Sequence, residues 1–400
     1  MQVYAQDANR GPQFGEDVSK GTLNRITINK TNSAVNRHVT WDKSYKMNWG
    51  VDFNTIGNRL ALNVDYYYIW NREMLLNLSR SVSTVIGTQT AALNIGEMDN
   101  YGVEVGINWR DRIGKDWKYK VGINTGYSDN KVKCMDWETE YEYRQVTKGQ
   151  RSDVGVWGMQ CIGMFRSFQD IEEYFDKNNI TTYMGLTKDK VRPGMLIYKD
   201  VRGAGGKGAA DGVVDGEDDQ VCLSTRSSNP WGFTTNFSVE WKSLAITGQF
   251  SASWGSYTIL PGTAIKTSDS SIEEANLPSF WKASNMYAYE DVYDASDNLV
   301  VKENRDAKYP NLAYSNVNAV TSSFWRVNNN SVRLSRLTLA YIVPSKWTKK
   351  YNVDNVRLNI TGQNLFEFCN DYPDKFMSKM TSYGSYPTLR KWTIGVNLSF

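Results

Sequence analysis

Two-residue alternation, in segments long enough to cross a bilayer at a tilt, restricts this chain more than any other feature of its sequence. It is clearest from Arg390 to Phe400, where Trp392, Ile394, Val396, Leu398 and Phe400 share one face and Lys391, Thr393, Gly395, Asn397 and Ser399 the other. The same dyad runs through 59–71, setting Leu60, Leu62, Val64, Tyr66, Tyr68 and Trp70 against Ala61, Asn63, Asp65, Tyr67, Ile69 and Asn71. Successive side chains of a strand point to opposite faces, so each segment has one apolar face ending in aromatics and one largely polar face. Further strands read at 47–53, 101–109, 117–123, 235–241, 244–254, 337–343 and 356–360, giving about ten in all.

The connections alternate in length. Short ones lie near 54–58, 110–115, 242–243 and 344–354, and long ones at 72–99, 128–231, 255–331 and 366–389. Outer-membrane barrels combine short periplasmic turns with long external loops, whereas soluble sandwiches mix turn lengths at both ends. The expectation is an all-β chain: a partial antiparallel transmembrane β-barrel with long extracellular loops. Aromatic ends suit an interfacial girdle, and polar faces suit a wet lumen. The alternative left open by periodicity alone is a soluble carbohydrate-binding or glycan-degrading β-protein, whose apolar faces would pack together in a dry core.

Composition narrows the function. With 24 Tyr, 14 Trp and 14 Phe against 9 Pro, long strands are favoured, because rings fit a pleated surface and few ladder donors are lost. A net charge of +3 is too even for binding nucleic acid by counterion release. Cys134, Cys161, Cys222 and Cys369 lack the spacing of a disulfide scaffold or zinc site. His38, the single histidine, sits in a polar run and excludes chemistry that needs two imidazoles. No apolar run reaches the length of a spanning helix, and the start MQVYAQDANR has no signal-peptide pattern, so either the chain is cytosolic or its true N-terminus is missing.

Enzymatic signatures fail on inspection. Lys207 in the glycine-rich run 203–208 is followed by Gly208 rather than Ser or Thr, and the fifth residue of Gly126 to Asn130 is wrong for a nucleophile elbow. The adjacent pairs Glu172–Glu173 and Glu273–Glu274 do not face each other across a substrate. No enzyme is expected.

The closing segments resemble the C-terminal half of the SusC/RagA family of TonB-dependent outer-membrane transporters. The resemblance is carried by Ser331 to Tyr341 (SVRLSRLTLAY) before Pro344, by Val356 to Phe366 (VRLNITGQNLF), and by Tyr383 to Pro387 with Arg390 to Phe400. Upstream, Asn94 to Glu104 (NIGEMDNYGVE), Thr40 to Lys43 (TWDK) and Ile162 to Ser167 (IGMFRS) followed by Ile171-Glu172-Glu173 are similar to further family segments, so the matches span roughly 40–400. The resemblance implies uptake of oligosaccharides or peptides, a SusD-like surface lipoprotein as partner, and energy from the TonB complex. TonB would act through an N-terminal part, with plug and TonB box, that has no counterpart here. The expectation is therefore the C-terminal portion of a longer protein, unable to close a barrel alone.

The resemblance also points to an acidic loop. In the family this region is an EF-hand-like calcium loop, which gives Asp200, Asp211, Asp215 and Asp218 as candidate calcium ligands. Here 202–210 intervene between the first two, and a strict EF-hand counted from Asp211 meets Val213 and Cys222 at ligand positions. A solvated acidic turn is the plainer reading. Among the loop aromatics Trp137, Tyr141, Tyr143, Trp281, Tyr287, Tyr289 and Trp325, we single out Trp281 and Trp325 as candidate ligand contacts, because ring faces stack on sugars and peptide side chains, while packing of the loops on themselves is the plainer reading. Trp392, Ile394, Val396, Leu398 and Phe400 form a terminal pattern that the barrel-assembly machinery reads in outer-membrane proteins, with membrane lipid against their apolar face.

Overall fold

The computed structural model describes residues 36–76, 91–135, 142–144, 148–152, 155–226, 228–260, 262–265, 280–348, 353–374, 377–379 and 385–399, together with the backbone of four short strands within 4–31. Those four pair as two antiparallel ladders, Tyr4–Asp7 with Ile28–Thr31 and Gln13–Asp17 with Thr22–Arg25.

Nine long strands carry the architecture: β1 (Lys43–Thr55), β2 (Leu60–Leu76), β3 (Leu93–Ile113), β4 (Trp117–Cys134), β5 (Trp231–Trp241), β6 (Leu244–Trp254), β7 (Ser331–Ile342), β8 (Asn355–Phe368) and β9 (Lys391–Ser399). In the sheet each lies beside its neighbours in sequence, from β9 through to β1. The register is continuous from Trp231↔Tyr127 to Trp241↔Trp117 between β5 and β4, and from Trp231↔Trp254 to Trp241↔Leu244 between β5 and β6. The tight turns fall at the short connections expected from the sequence.

The strands are longer than their apolar periodicity. β3 begins at Leu93 and β4 continues to Cys134, because both extend as polar ladders beyond the apolar stretch, where hydropathy alternation gives no signal. Aromatic pairs mark both limits of the apolar face of β5: Tyr127 with Trp231 at 4.5 Å, and Trp117 with Trp241 at 5.8 Å between ring centroids. The run from Trp231 to Trp241 is about 33 Å along the strand, and a tilt of roughly 40° reduces this to about 25 Å, the height of an outer-membrane apolar band.

Residue 364 shows how backbone geometry explains a motif. Asn364 adopts φ 54°, and its amide donates to the Leu389 carbonyl at 3.0 Å. The β7–β8 register shifts between Leu334 and Arg336 at this point. A bulge needing a left-handed residue favours Asn, which tolerates that region and supplies the extra donor.

The chain divides into two compact units, one of residues 1–47, 67–101 and 130–152, the other of 48–66, 102–129 and 153–400. In the first, the TWDK and NIGEMDN segments meet: the Asn94 side chain accepts from the Thr40 amide at 3.0 Å and donates to the Thr40 and Glu73 carbonyls at 2.9 and 2.8 Å. Beside them Asp99, 2% exposed, accepts from Tyr68 Oη and Arg72 at 2.7 Å each and pairs with Lys133 at 3.4 Å. A buried carboxylate is tolerated because its lone pairs are used.

Candidate functional site

In the second unit the polar and apolar faces of the wall behave differently. Trp392 and Ile394 are 64% and 81% exposed, and Val396, Leu398, Leu358, Ile360, Leu339, Ile246, Trp241 and Phe233 are exposed on the same alternation. No dry core covers this face among the described residues. The soluble alternative required one, and an apolar face open over several strands is what lipid contact needs. Phe400, the last residue of the terminal pattern, lies outside the described residues.

The opposite face is built from glycine and small polar residues. Glycines on one strand make room for an amide or carboxylate of the next: a Cβ on Gly106 would come 2.1 Å from Asn63 Oδ1, one on Gly122 2.6 Å from Asn108 Oδ1, and one on Gly50 2.5 Å from Asp65 Oδ1. The polar side chains thus lie flat across neighbouring strands. On this face a shallow cleft of about 590 Å³ is lined by Asn63, Glu104, Asn124, Thr234, Ser251 and Arg333, among others. Amides, hydroxyls and one charge of each sign form a surface that can hydrogen-bond hydroxyls and peptide groups with little apolar contact.

The described residues of the long connections 155–226 and 256–330 pack into two apolar clusters, one drawn from both connections. The IGMFRS motif is their pin. Phe165 is fully buried, Arg166 donates to the Ala307 carbonyl at 2.8 Å, and Tyr287 Oη donates to the Arg166 carbonyl at 2.6 Å. Ser167 then caps α1 (Phe168–Asn178): its hydroxyl accepts from the Asp170 amide at 3.1 Å, and the Asp170 carboxylate accepts from the Ser167 amide at 3.1 Å. This capping box satisfies amides the helix cannot, and Ile171 and Phe175 turn inward. Burial raises the phenols of this core: Tyr287 is pushed up to about 12, and Tyr174, Tyr183 and Tyr198 rise further, so all are neutral donors.

Asn318 is the hub that sequence reading missed. It is 3% exposed, accepts from the Leu196 amide at 2.8 Å, and donates to the Gly194 and Asn311 carbonyls at 3.0 and 2.8 Å. Its own carbonyl accepts from Trp325 Nε1 at 2.7 Å. An asparagine in a polar loop carries no periodic signal, so nothing in the sequence distinguishes it.

Trp281 and Trp325 belong to this packing, which corrects the expectation of open ligand faces. Both are buried in a cluster with Phe280, Tyr309 and Leu260, at 5.7 Å from each other, and the Trp281 indole donates to the Ala264 carbonyl at 2.8 Å. The rings hold the loops together. Tyr287 is buried, Tyr289 carries the Arg305 guanidinium 4.2 Å above its ring, and Trp137 and Tyr141 lie outside the described residues.

The acidic loop is organised around Asp219, which was not among the candidates. Buried completely, it accepts from the Val201 and Arg202 amides at 2.6 and 2.8 Å and from the Asp215 amide at 2.9 Å. The four candidates are also engaged with backbone: Asp200 with Gly212 at 2.7 Å, Asp211 with Val213 at 3.0 Å, Asp215 with Glu217 at 2.7 Å, and Asp218 with Gly205 at 3.1 Å. Asp200 Oδ1 is buried without a hydrogen-bond partner, but among the described residues no three acidic, Cys or His side chains converge as a metal site. As arranged, these carboxylates do not fit a calcium ion. Burial raises the Asp200 carboxyl above its usual range, with the neighbouring Asp219 and Asp211 charges adding to the rise.

A sheet with one lipid-suited face, one polar face and compact loops at the ends of its long connections defines an outer-membrane β-barrel wall. Residues 2–157 match the family described as TonB dependent receptor-like, β-barrel. The chain is 26% identical over 390 residues to TonB-dependent receptor P3 of Formosa agariphila, covering 91% of this chain and 35% of that protein. It is 22% identical over 372 residues to TonB-dependent receptor SusC of Bacteroides thetaiotaomicron, covering 92% and 33%. Among solved structures, the RagAB peptide importer in its open-open state aligns with the whole chain and 38% of its own, at 17% identity and TM-score 0.66; the closed-closed state gives 16% and 0.68. The chain is similar to SusC/RagA-like TonB-dependent receptor barrels of the outer membrane, and it spans about a third of the length of the curated relatives it matches.

Proposed function

We propose that these residues form barrel wall and external loops of a transporter that takes up oligosaccharides or peptides across the outer membrane with energy supplied through TonB. The observation that carries this reading is the pairing of an exposed apolar face with a glycine-flattened polar face bearing an open hydrogen-bonding cleft. Such a wall passes polar solutes along its inside while meeting lipid outside. The likeness to a structure named a peptide importer favours peptides, and the amides and hydroxyls of the cleft suit oligosaccharide hydroxyls as well. A SusD-like surface lipoprotein is the partner on the outer side, and TonB acts through a part of the longer protein outside these 400 residues. No catalytic step is involved. Trp392, Ile394, Val396, Leu398 and Phe400 present the closing strand to the assembly machinery.

The test is energised uptake. Cells producing the full-length protein should accumulate labelled oligosaccharide or peptide too large for porins, and a protonophore or loss of TonB should abolish it. Uptake that continues without TonB would overturn the proposal.

A further inference from the structure

The turn ends of β3, β4 and β5 concentrate positive charge on the polar face. The Arg110 amide donates to the Arg59 carbonyl at 2.8 Å, which places these residues side by side on adjacent strands. On β4, Lys118 and Lys120 alternate onto the same face, in register with Glu240 and Ser238 of β5. With Arg112 they line one open cleft of about 570 Å³, which holds five cationic side chains against the carboxylates of Asp111 and Glu240.

The two acids are already committed. Asp111 pairs with Arg59 at 3.2 Å and Glu240 with Lys118 at 3.6 Å, while the Arg110 Nε donates to the Asn58 carbonyl at 2.8 Å. Arg112 and Lys120 have no ion-pair partner among the described residues. Like charges on neighbouring strands destabilise a sheet, and a cleft with an excess of one sign of charge focuses its potential on whatever enters. The cleft lies on the polar face, so phosphates of the surrounding bilayer do not reach it. Guanidinium forks among ammonium groups suit a planar or tetrahedral oxyanion.

We propose that this cleft binds an anionic group, a sulfate, phosphate ester or carboxylate, carried by a solute inside the barrel. An anion there supplies the charge that the wall withholds, and selects among solutes by charge rather than by shape. The assignment requires only that the polar face be wet, so it stands or falls apart from the uptake reading.

The test uses the full-length protein in detergent and follows acetylation of each lysine by mass spectrometry. Against chloride at matched ionic strength, millimolar inorganic sulfate or phosphate should slow modification of Lys118 and Lys120 by about threefold or more, leaving Lys115 and Lys242 unchanged. Arg110→Gln combined with Arg112→Gln should remove the protection while the protein keeps its heat-modifiable migration. Equal rates in the two salts, or protection that survives loss of both arginines, would overturn the assignment. A sulfated and a neutral oligosaccharide of equal length, compared by the same protection, should show slowing by the sulfated one alone.

Discussion

Replacing Asn318 by alanine should loosen the external loops while leaving the wall intact. The substitution strands the Leu196 amide in a fully buried position and removes one donor from each of the Gly194 and Asn311 carbonyls. A buried amide left without a partner costs about 1–3 kcal/mol, and each lost bond to a carbonyl about 0.5–1.5 kcal/mol. Both carbonyls keep a second donor, the Asn311 amide at 3.0 Å on Gly194 and the Tyr314 amide at 3.3 Å on Asn311, so most of the cost falls on the Leu196 amide. A total of about 3 kcal/mol corresponds to roughly a hundredfold rise in the open population of this core. Hydrogen exchange on the full-length protein in detergent reads this directly. Peptides covering 194–198 and 311–325 should exchange about a hundred times faster, while peptides covering 231–254 keep their wild-type rates. Unchanged exchange at 194–198 would show that Asn318 is not the hub its hydrogen bonds describe, and equal acceleration in the wall strands would refute the separation of loop core from sheet.

Asp200 gives a pH-dependent case. Its carboxyl is raised from 3.8 in the folded loop, chiefly by burial, so its contribution to stability is fully present below that ordinary value and is lost as pH rises through the raised one. Exchange protection of 200–219, corrected for intrinsic rates, should therefore fall from acid towards neutral pH, and Asp200→Asn should flatten the dependence; an identical profile in the variant counts against it. Gly232→Ala should cost about 1–3 kcal/mol in denaturant unfolding, because its methyl would come 2.7 Å from the Ala252 carbonyl, which cannot swing aside, whereas Gly122→Ala, which meets only the movable end of Asn108, should cost less; equal losses would deny the distinction. Finally, β1 and β9 stand at the edges of the described sheet, and unpaired backbone groups cost several kcal/mol each in hydrocarbon. Residues 1–400 produced alone should give no heat-modifiable, protease-resistant band in detergent, and such a band would contradict this.

The wall was legible in sequence because its physics is periodic. Trp392, Ile394, Val396 and Leu398 alternate because lipid lies on one side and water on the other, and no tertiary contact is needed to infer it. The ladders of β3 and β4 beyond that band were not legible, since polar residues fall on both faces there, Asn94 and Asp99 bonded to the neighbouring strand among them, and the dyad is lost. The loop cores left two readings open for a different reason. Trp281 and Trp325 look alike in sequence whether a ring faces a ligand or a neighbour, and only the packing around Asn318 decides it. In the acidic loop the resemblance drew attention to spacing, while the organising role fell to Asp219 through bonds to the Val201 and Arg202 amides, 18 and 17 positions away, and to the Asp215 amide, 4 positions away.

The compact loops also bear on how the wall assembles. Joining β5 to β6 needs only a two-residue turn, but joining β4 to β5 must span roughly a hundred residues, a difference of about five doublings in length and about 3 kcal/mol of closure entropy for a slack chain. The stretch 155–226, condensed on Phe165, Tyr183 and Tyr198, is not slack. Arg226, close to its end, pairs with Asp129 of β4 at 3.0 Å, so the hairpin that follows closes on a short tether, and strands distant in sequence add to the growing sheet almost as easily as adjacent ones.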